Sequence, residues 1–519
     1  CFTNRDAYDR FRLSKEDYEL RKELEENNSK DKDRKKDKKE SAGTINVELD
    51  GIQDRIVRIT PNSSSLGDAI ISKDGETMYY TASFEDGPDL WKMNLREHET
   101  KLVAKKSGSG RFVTDSTGKN IFLLGSTFKK LEGDKLTPIS FNAELKLDHK
   151  AEREYIYDYM KREVEKRFLF ADMKGIDWNG YTEAYRKFLP HISNNYDFAE
   201  LLSELLGELN VSHSGSRYYA SGAKQATASL GLLFDLGWTG EGLKVAEVVK
   251  DGPFDHAQLK LKAGDVITHI NGQEITAGQD ISMLLMGQEG KKTLVGIKGG
   301  KDEVVIPIKA SAMNDLLYRR WIRQRAADVE KWSGGRLGYV HIRQMNDGSF
   351  RPMYSDILGK YNKCEGIVID TRFNGGGRMH EDIEVLFSGK KYLTQVIRGR
   401  ETCDMPSRRW NKPSIMLQCE ANYSNAHGTP WVYSHMKIGK LVGAPVPGTM
   451  SSVNWITMQD PSLIFGVPVI GYRTEEGEYL EGLQLEPDIY VLNSPETVVK
   501  GEDSQLRAAV EELLKEIGK

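Results

Sequence analysis

At 519 residues the chain exceeds what one hydrophobic core ordinarily organises, and three or four domains are expected. Its 73 basic and 77 acidic residues nearly cancel, and the isoelectric point near 6.3 gives no global attraction to nucleic acid or anionic lipid. No apolar run approaches the roughly 20 residues of a membrane-spanning helix, so no membrane span is expected.

The chain opens at Cys1 rather than Met. Cys1 reads either as a residue exposed by processing and lipidated or as an arbitrary start of the chain. Localisation follows the same fork: periplasmic or cell-envelope if a signal sequence has been trimmed, otherwise cytoplasmic. The other cysteines, Cys364, Cys403 and Cys419, form no CxxC pair, which argues against zinc or dithiol redox chemistry.

Residues 1–43 are expected to be a charged linker or insertion. The stretch "NNSKDKDRKKDKKESAG" (Asn27 to Gly43) has almost nothing to bury and no aromatic for base stacking. Residues 44–141 change to short β-rich runs. "AIISKDGETMYYTA" sets a D-G turn between alternating runs, and "RFVTDSTGKNIFLLG" repeats the plan. Two such units cannot close a propeller, so this region is expected to be a partial, propeller-like β-domain.

Residues 142–225 carry apolar residues at helical spacing in "AEREYIYDYMKREVEKRFLF" and "DFAELLSELLGEL". The second helix ends at "NVSHSGS", which leaves Ser212 and His213 on a loop just beyond it. Residues 226–311 then resemble a PDZ domain at three places: "ASLGLLFDLG", "GPFDHAQLKLKAGD" with the following Asn271-Gly272 turn, and "KTLVGIKGGKDEVVIPI". Leu230, Gly231 and Leu232 resemble the loop that offers backbone N–H groups to a peptide carboxylate. A PDZ groove adds an extended peptide as one more strand. The alternative is a spacer whose groove is plugged by its own chain.

Residues 312–519 read as an α/β core ending in a helix. "LGYVHI", "GIVIDTR" and "SIMLQC" are short apolar runs at helical separations, and "GKLVGAPVPG" and "PVIGYRT" are expected to extend the same strand set. The fold class is thus multidomain α+β with four parts: propeller-like, helical, PDZ and α/β. Two segments directly follow core strands: "DTRFNGGG" (Asp370 to Gly377) and "ANYSNAHG", with Ser424 at a turn from strand to helix. Amides at such a turn favour developing negative charge. These signals alone equally allow Ser424 as an N-cap and the glycines as a tight turn.

Other chemistries lack their motifs. "GQEGKKT" lacks the first glycine of a P-loop, "FNGGGR" lacks dinucleotide spacing, and no HExxH helix is present. No cofactor and no catalytic metal are expected. A serine nucleophile needs a base. His427, three residues along the helix from Ser424, is expected to lean away, whereas His213 is free to approach from another domain.

Residues from about Asn142 to Asp488 resemble the catalytic portion of tricorn-type proteases, within the C-terminal processing serine peptidases. The motifs fall in order: "GELNVSHSG", a PDZ domain, "DTRFNGGG", "NYSNAHG", "GKLVGAPVPG" and "YLEGLQLEPD". The resemblance implies a serine peptidase with Ser424 as nucleophile and His213 as general base. Ser212 links the histidine to Glu481 in a tetrad, and the N–H groups of Asn425 and Gly376 form the oxyanion hole. Three positions depart from the pattern. Asn425 replaces an aspartate, Gly482 an asparagine, and Gln395 falls near the acidic residue that confers a basic P1 preference. Neutral P1 residues are therefore expected to be accepted, with Glu381, Asp382 and Glu384 as the nearby carboxylates that could restore a basic preference. Expected partners are oligopeptides or unfolded polypeptides, with a homo-oligomer left open and nucleic acid not expected. The rival reading is a peptide-binding protein that keeps the PDZ groove but has little or no activity; a propeller scaffold with appended domains explains only the N-terminal third.

Overall fold

The computed structural model describes residues 2–30, 46–60, 63–84, 87–220 and 226–518. The chain divides into two compact units, Cys1–Lys146 and Leu147–Lys519.

The first unit carries two four-stranded antiparallel meanders, each with its strands in sequential order. One runs from Ser65 to Ala104 and the other from Gly110 to Pro138. Period-two alternation sends Met78, Tyr80 and Ala82 to a shared core with Met93 and Leu95. Residues 2–30 differ from a solvated linker: they form helices Arg5–Phe11 and Lys15–Lys30. The reason is a few aromatics hidden among the charges. Phe2 packs on Tyr8 and Phe11 at ring separations of 5.5 and 4.8 Å, Phe11 packs against the Met78–Leu95 core, and Arg96 stacks 3.6 Å over the Tyr18 ring. Cys1 and positions 31–43 of the charged stretch lie outside the described residues.

The second unit is built on a five-stranded parallel sheet of Leu337–His341, Gly366–Asp370, Ser414–Gln418, Lys440–Gly443 and Ile489–Tyr490, in that spatial order. Both faces are covered. Ile367, Ile369, Met416 and Leu441 pack toward the Asn425–His435 and His380–Phe387 helices. Val368, Ile415, Leu417 and Val442 pack under the Ser504–Ile517 and Ala310–Ser333 helices. Strands buried on both sides have no polar face to show, which is why they read as continuous apolar runs.

The stretch "PVIGYRT" does not join this sheet. Its first residues end the strand Leu463–Gly471, which pairs antiparallel with Ser451–Thr457 and with Gly215–Tyr218. Phe465 and Val467 of that strand share a core with Tyr157, Met160, Phe198, Leu202 and Leu206 of the helical segment. The helices from His149 to Gly207 therefore close over a hairpin some 250 residues further along, because three strands and three helices each have one apolar face and bury it on the other.

The PDZ region forms a sheet in the order Leu232–Phe234, Leu243–Val248, Val266–Ile270, Thr293–Ile297, Glu303–Val305, with Leu232–Phe234 at one edge. Asn271 and Gly272, at φ 49° and 80°, make the expected tight turn. Helix Ala310–Ser333 ties this region to the core: Arg320 pairs with Glu247 at 2.6 Å, and Met313 and Leu316 pack on Val249. No helix among the described residues is long and apolar enough to cross a membrane.

Candidate active site

Strand Ser414–Gln418 ends in a turn that delivers Ser424 to the start of helix Asn425–His435. Ser424 sits at φ 59° and ψ −126° and its side chain makes no capping hydrogen bond. A capping serine has extended φ/ψ and bonds the first turn with its hydroxyl. Ser424 does neither. A positive φ on a residue with a Cβ costs about 1–3 kcal/mol and persists only where surrounding contacts impose it. Here the contacts are the Ser424 N–H donating to Thr449 Oγ1 at 2.8 Å and the Tyr423 N–H donating to Asn374 O at 3.0 Å.

The glycine run meets this turn from the neighbouring strand. Gly376, at φ 100°, lies so close that a Cβ there would stand 2.6 Å from Ser424 Cβ and 2.9 Å from Tyr423 O. Only glycine fits. Its N–H, however, donates to Asn374 Oδ1 at 2.8 Å, so in this conformation Gly376 is beside Ser424 without presenting a free donor. Asn425 is the first residue of its helix, where the N–H has no intrahelical acceptor.

His213 reaches the site from the helical layer. The antiparallel pairing of Gly215 with Gly466 anchors the segment just after it, and its own φ of 61° turns the loop back. Its N–H donates to the Tyr423 hydroxyl at 2.7 Å, and its ring lies 4.6 Å from the Tyr423 ring, centre to centre. Ser212 Oγ donates to Glu481 Oε2 at 2.7 Å, and the Ser212 N–H donates to Glu481 Oε1 at 2.6 Å. With its proton committed to the carboxylate, Ser212 Oγ can only accept at its 2.7 Å contact with His213 Nδ1. That places the imidazole proton on Nδ1 and leaves Nε2 as the basic nitrogen. Burial lowers the pKa of His213 and the Glu481 carboxylate opposes that, so the neutral base is favoured near neutral pH.

The sequence reading did not single out Ser451, Thr449 or Asn374, and gave Tyr423 no role. Ser451 Oγ lies 3.1 Å from His213 Nδ1 and 3.2 Å from Ser212 Oγ, and Thr449 holds the Ser424 amide. The weak signal for the first two was the run of small polar residues in "GTMSSV". Gly482 takes φ 86° and donates its N–H to Gly448 O at 2.8 Å, which fixes Glu481 without an asparagine side chain.

His427 is fully buried, with neither ring nitrogen hydrogen-bonded. Burial carries its pKa down to about 4. It is part of the packing rather than the bonded chain of groups. Gln395 lies on the ribbon Leu393–Ile397/Arg400–Met405, where its Oε1 accepts from Cys403 Sγ at 3.0 Å and its hydrogen bonds among the described residues stay within that ribbon. In the PDZ region Leu230 and Leu232 are buried, and the Gly231 N–H donates to Ser229 Oγ at 3.1 Å, which removes one of the expected carboxylate donors. Among the described residues no group of three or more His, Cys, Asp or Glu side chains could hold a metal ion.

Comparison with known proteins fits this geometry. Residues 336–491 match the model of peptidase family S41, residues 149–207 the tricorn protease C1 domain, and residues 244–299 a PDZ domain. In chain order the matched segments are thus a tricorn C1 domain, a PDZ domain and a family S41 segment.

Among whole proteins the chain is similar to tricorn proteases. It is 23% identical over 503 residues to tricorn protease homolog 1 of Streptomyces coelicolor, covering 90% of this chain and 47% of that protein. It is 23% identical over 362 residues to the tricorn protease homolog of Saccharolobus solfataricus, covering 66% and 33%. The crystal structure of the tricorn protease superposes with a TM-score of 0.71 at 18% identity, over 86% of this chain and 46% of that one. The chain thus spans about half or less of the length of these relatives.

Proposed function

We propose that this protein hydrolyses peptide bonds in oligopeptides or unfolded polypeptides through Ser424, His213, Ser212 and Glu481. The observation that supports the proposal most is the strained, uncapped Ser424 next to Tyr423, whose hydroxyl and ring hold His213, a histidine whose Nδ1 is committed to a serine that bonds a buried carboxylate. Ser424 Oγ attacks the scissile carbonyl carbon while its proton passes to His213 Nε2. Glu481, acting through Ser212, stabilises the imidazolium that forms. The Asn425 N–H receives the oxyanion, and the Gly376 N–H joins it by turning from Asn374 Oδ1. Collapse breaks the C–N bond, and His213 returns the proton to the leaving amine. Water then repeats the sequence on the acyl-enzyme.

The edge strand Leu232–Phe234 supports the reading of the PDZ region as a peptide-binding module, by strand addition. The two four-stranded meanders support reading the first unit as two propeller-like blades. Glu381 and Asp382 are exposed and Gln395 is neutral, which supports cleavage after neutral P1 residues; a peptide-library profile dominated by Arg and Lys at P1 contradicts that part.

One observation favours the rival, a peptide binder of low activity: the Gly376 N–H is occupied. A fluorophosphonate serine probe separates the two. The peptidase reading predicts labelling of the wild-type protein and none of Ser424→Ala. Peptide binding by a wild-type protein that does not label supports the rival.

A further inference from the structure

The side chain of Asn425, next to the nucleophile, has a bonding pattern that fixes the state of a histidine outside the tetrad. Its Oδ1 accepts two backbone N–H groups, from Met379 at 2.9 Å and His380 at 3.2 Å. Backbone amides only donate, so this end of the carboxamide must be the oxygen. The NH2 end then faces His380 Nδ1 at 2.7 Å. An NH2 group also only donates, so His380 Nδ1 must be an acceptor. His380 is therefore neutral, with its proton on Nε2.

We propose that His380 is a positioning residue: through Nδ1 it locks the Asn425 carboxamide, and with it the backbone N–H that receives the oxyanion, and protonation of His380 releases that lock. The inference rests on the peptidase reading only for the role of the Asn425 N–H. The lock joins two helix starts, Asn425–His435 and His380–Phe387, and no other side chain supplies an acceptor to the Met379 and His380 amides among the described residues.

Protonation sets Nδ1–H against NH2 across 2.7 Å. Rotating the amide to relieve that contact sets NH2 against the two backbone N–H groups instead. Either arrangement leaves donors facing donors in a half-buried place, where an unmatched polar group costs about 1–3 kcal/mol. The surroundings favour the neutral ring. Burial is the main cause of its lowered pKa; Arg378 works in the same direction, while Glu381 and Asp382 oppose it, as the Asn425 contact does when the ring is taken as its donor. The ring meets Tyr472 nearly perpendicular, 6.4 Å between centres, and Tyr472 in turn bonds Ser452 Oγ at 3.0 Å.

The test joins spectroscopy to kinetics. Nitrogen-15 NMR of histidine-labelled protein should show His380 as the Nε2–H tautomer at neutral pH. In Asn425→Asp the second carboxylate oxygen accepts from Nδ1–H, so the His380 pKa should rise. In kinetics His380→Ala should lower kcat about 10- to 100-fold with little change in KM, less than the ~10²–10³ that outright loss of an oxyanion donor costs. His380→Asn, whose Oδ1 can accept from Asn425, should recover most of that loss and remove one protonation from the acid limb of the kcat profile. An Nδ1–H tautomer in the wild type, or His380→Ala with wild-type kcat and pH profile, overturns the proposal. The NMR arm stands even for a protein that proves not to be a peptidase, so failure of the lock and failure of the peptidase reading give different results.

Discussion

On the parallel sheet, the groups around Ser424 sit where neighbouring strands end: Ser424 after one strand, Gly376 after its neighbour, stitched together by Asn374, close to Gly376 in the chain, and Asn422, close to Ser424. On the helical layer, His213 and Ser212 touch each other but are held in place by long-range partners. They depend on Glu481, Ser451, Thr449 and Tyr423, every one of them more than 200 residues away in the chain. One half of the site is made by local geometry and the other by docking of two distant segments. Damage to the first half should therefore act sterically and at one step, whereas damage to the second should spread through a chain of hydrogen bonds.

The largest effect that sharpens this contrast is expected at Glu481→Gln. The amide can accept from Ser212 but brings no charge to stabilise imidazolium, so turnover should fall about 10³- to 10⁴-fold, read from kcat with KM nearly constant. Ser212→Ala should cost less than that, because Ser451 Oγ already lies 3.1 Å from His213 Nδ1 and can take over part of the contact. Equal losses in both variants contradict the relay through Ser212.

In the local half, Gly376→Ala should lower kcat about 10²-fold by pushing on Ser424 Cβ and by straining a residue at φ 100°, while thermal stability falls by only about 1–2 kcal/mol. Wild-type turnover in this variant removes the steric account of the turn. Tyr423→Phe should be milder, about tenfold in kcat, since it removes only the acceptor of the His213 N–H. The histidines differ in a way that pH can read. Burial holds His427 and His341 down to about 4, against an ordinary value near 6.5. Between those values the unfolded chain takes up protons that the native protein refuses. Their contribution to stability is complete above pH 6.5 and shrinks as pH falls toward 4, with a slope of up to about 1.4 kcal/mol per pH unit for each group. Denaturant titrations of His427→Leu should show a shallower acid slope than wild type, and an unchanged slope contradicts the buried neutral state.

The same contrast explains what could be read from the sequence. Ser424 and the glycine run announce themselves because strand, turn and helix start are short-range patterns, and the PDZ segment is legible through its turn and run order. Resemblance of motifs was needed to pair His213 with Ser424, since nothing local says that a loop after Leu209 crosses to Tyr423. Ser451, Thr449 and His380 were missed because each acquires its role only when a distant backbone amide or imidazole arrives. Counting along the chain locates Gln395 but does not show that its ribbon bonds to itself. The helices before Lys30 were hidden by composition, in which four aromatics among many charges decide the packing.

The central claim is that the base comes from the helical layer and not from the nucleophile's own helix. Fluorophosphonate labelling rates of His213→Ala and His427→Ala, measured side by side at pH 8 on folded protein, test it most directly. The account predicts a loss of at least about 10³-fold for His213→Ala and less than about tenfold for His427→Ala. A reversed order, with His427→Ala the inactive variant, contradicts it.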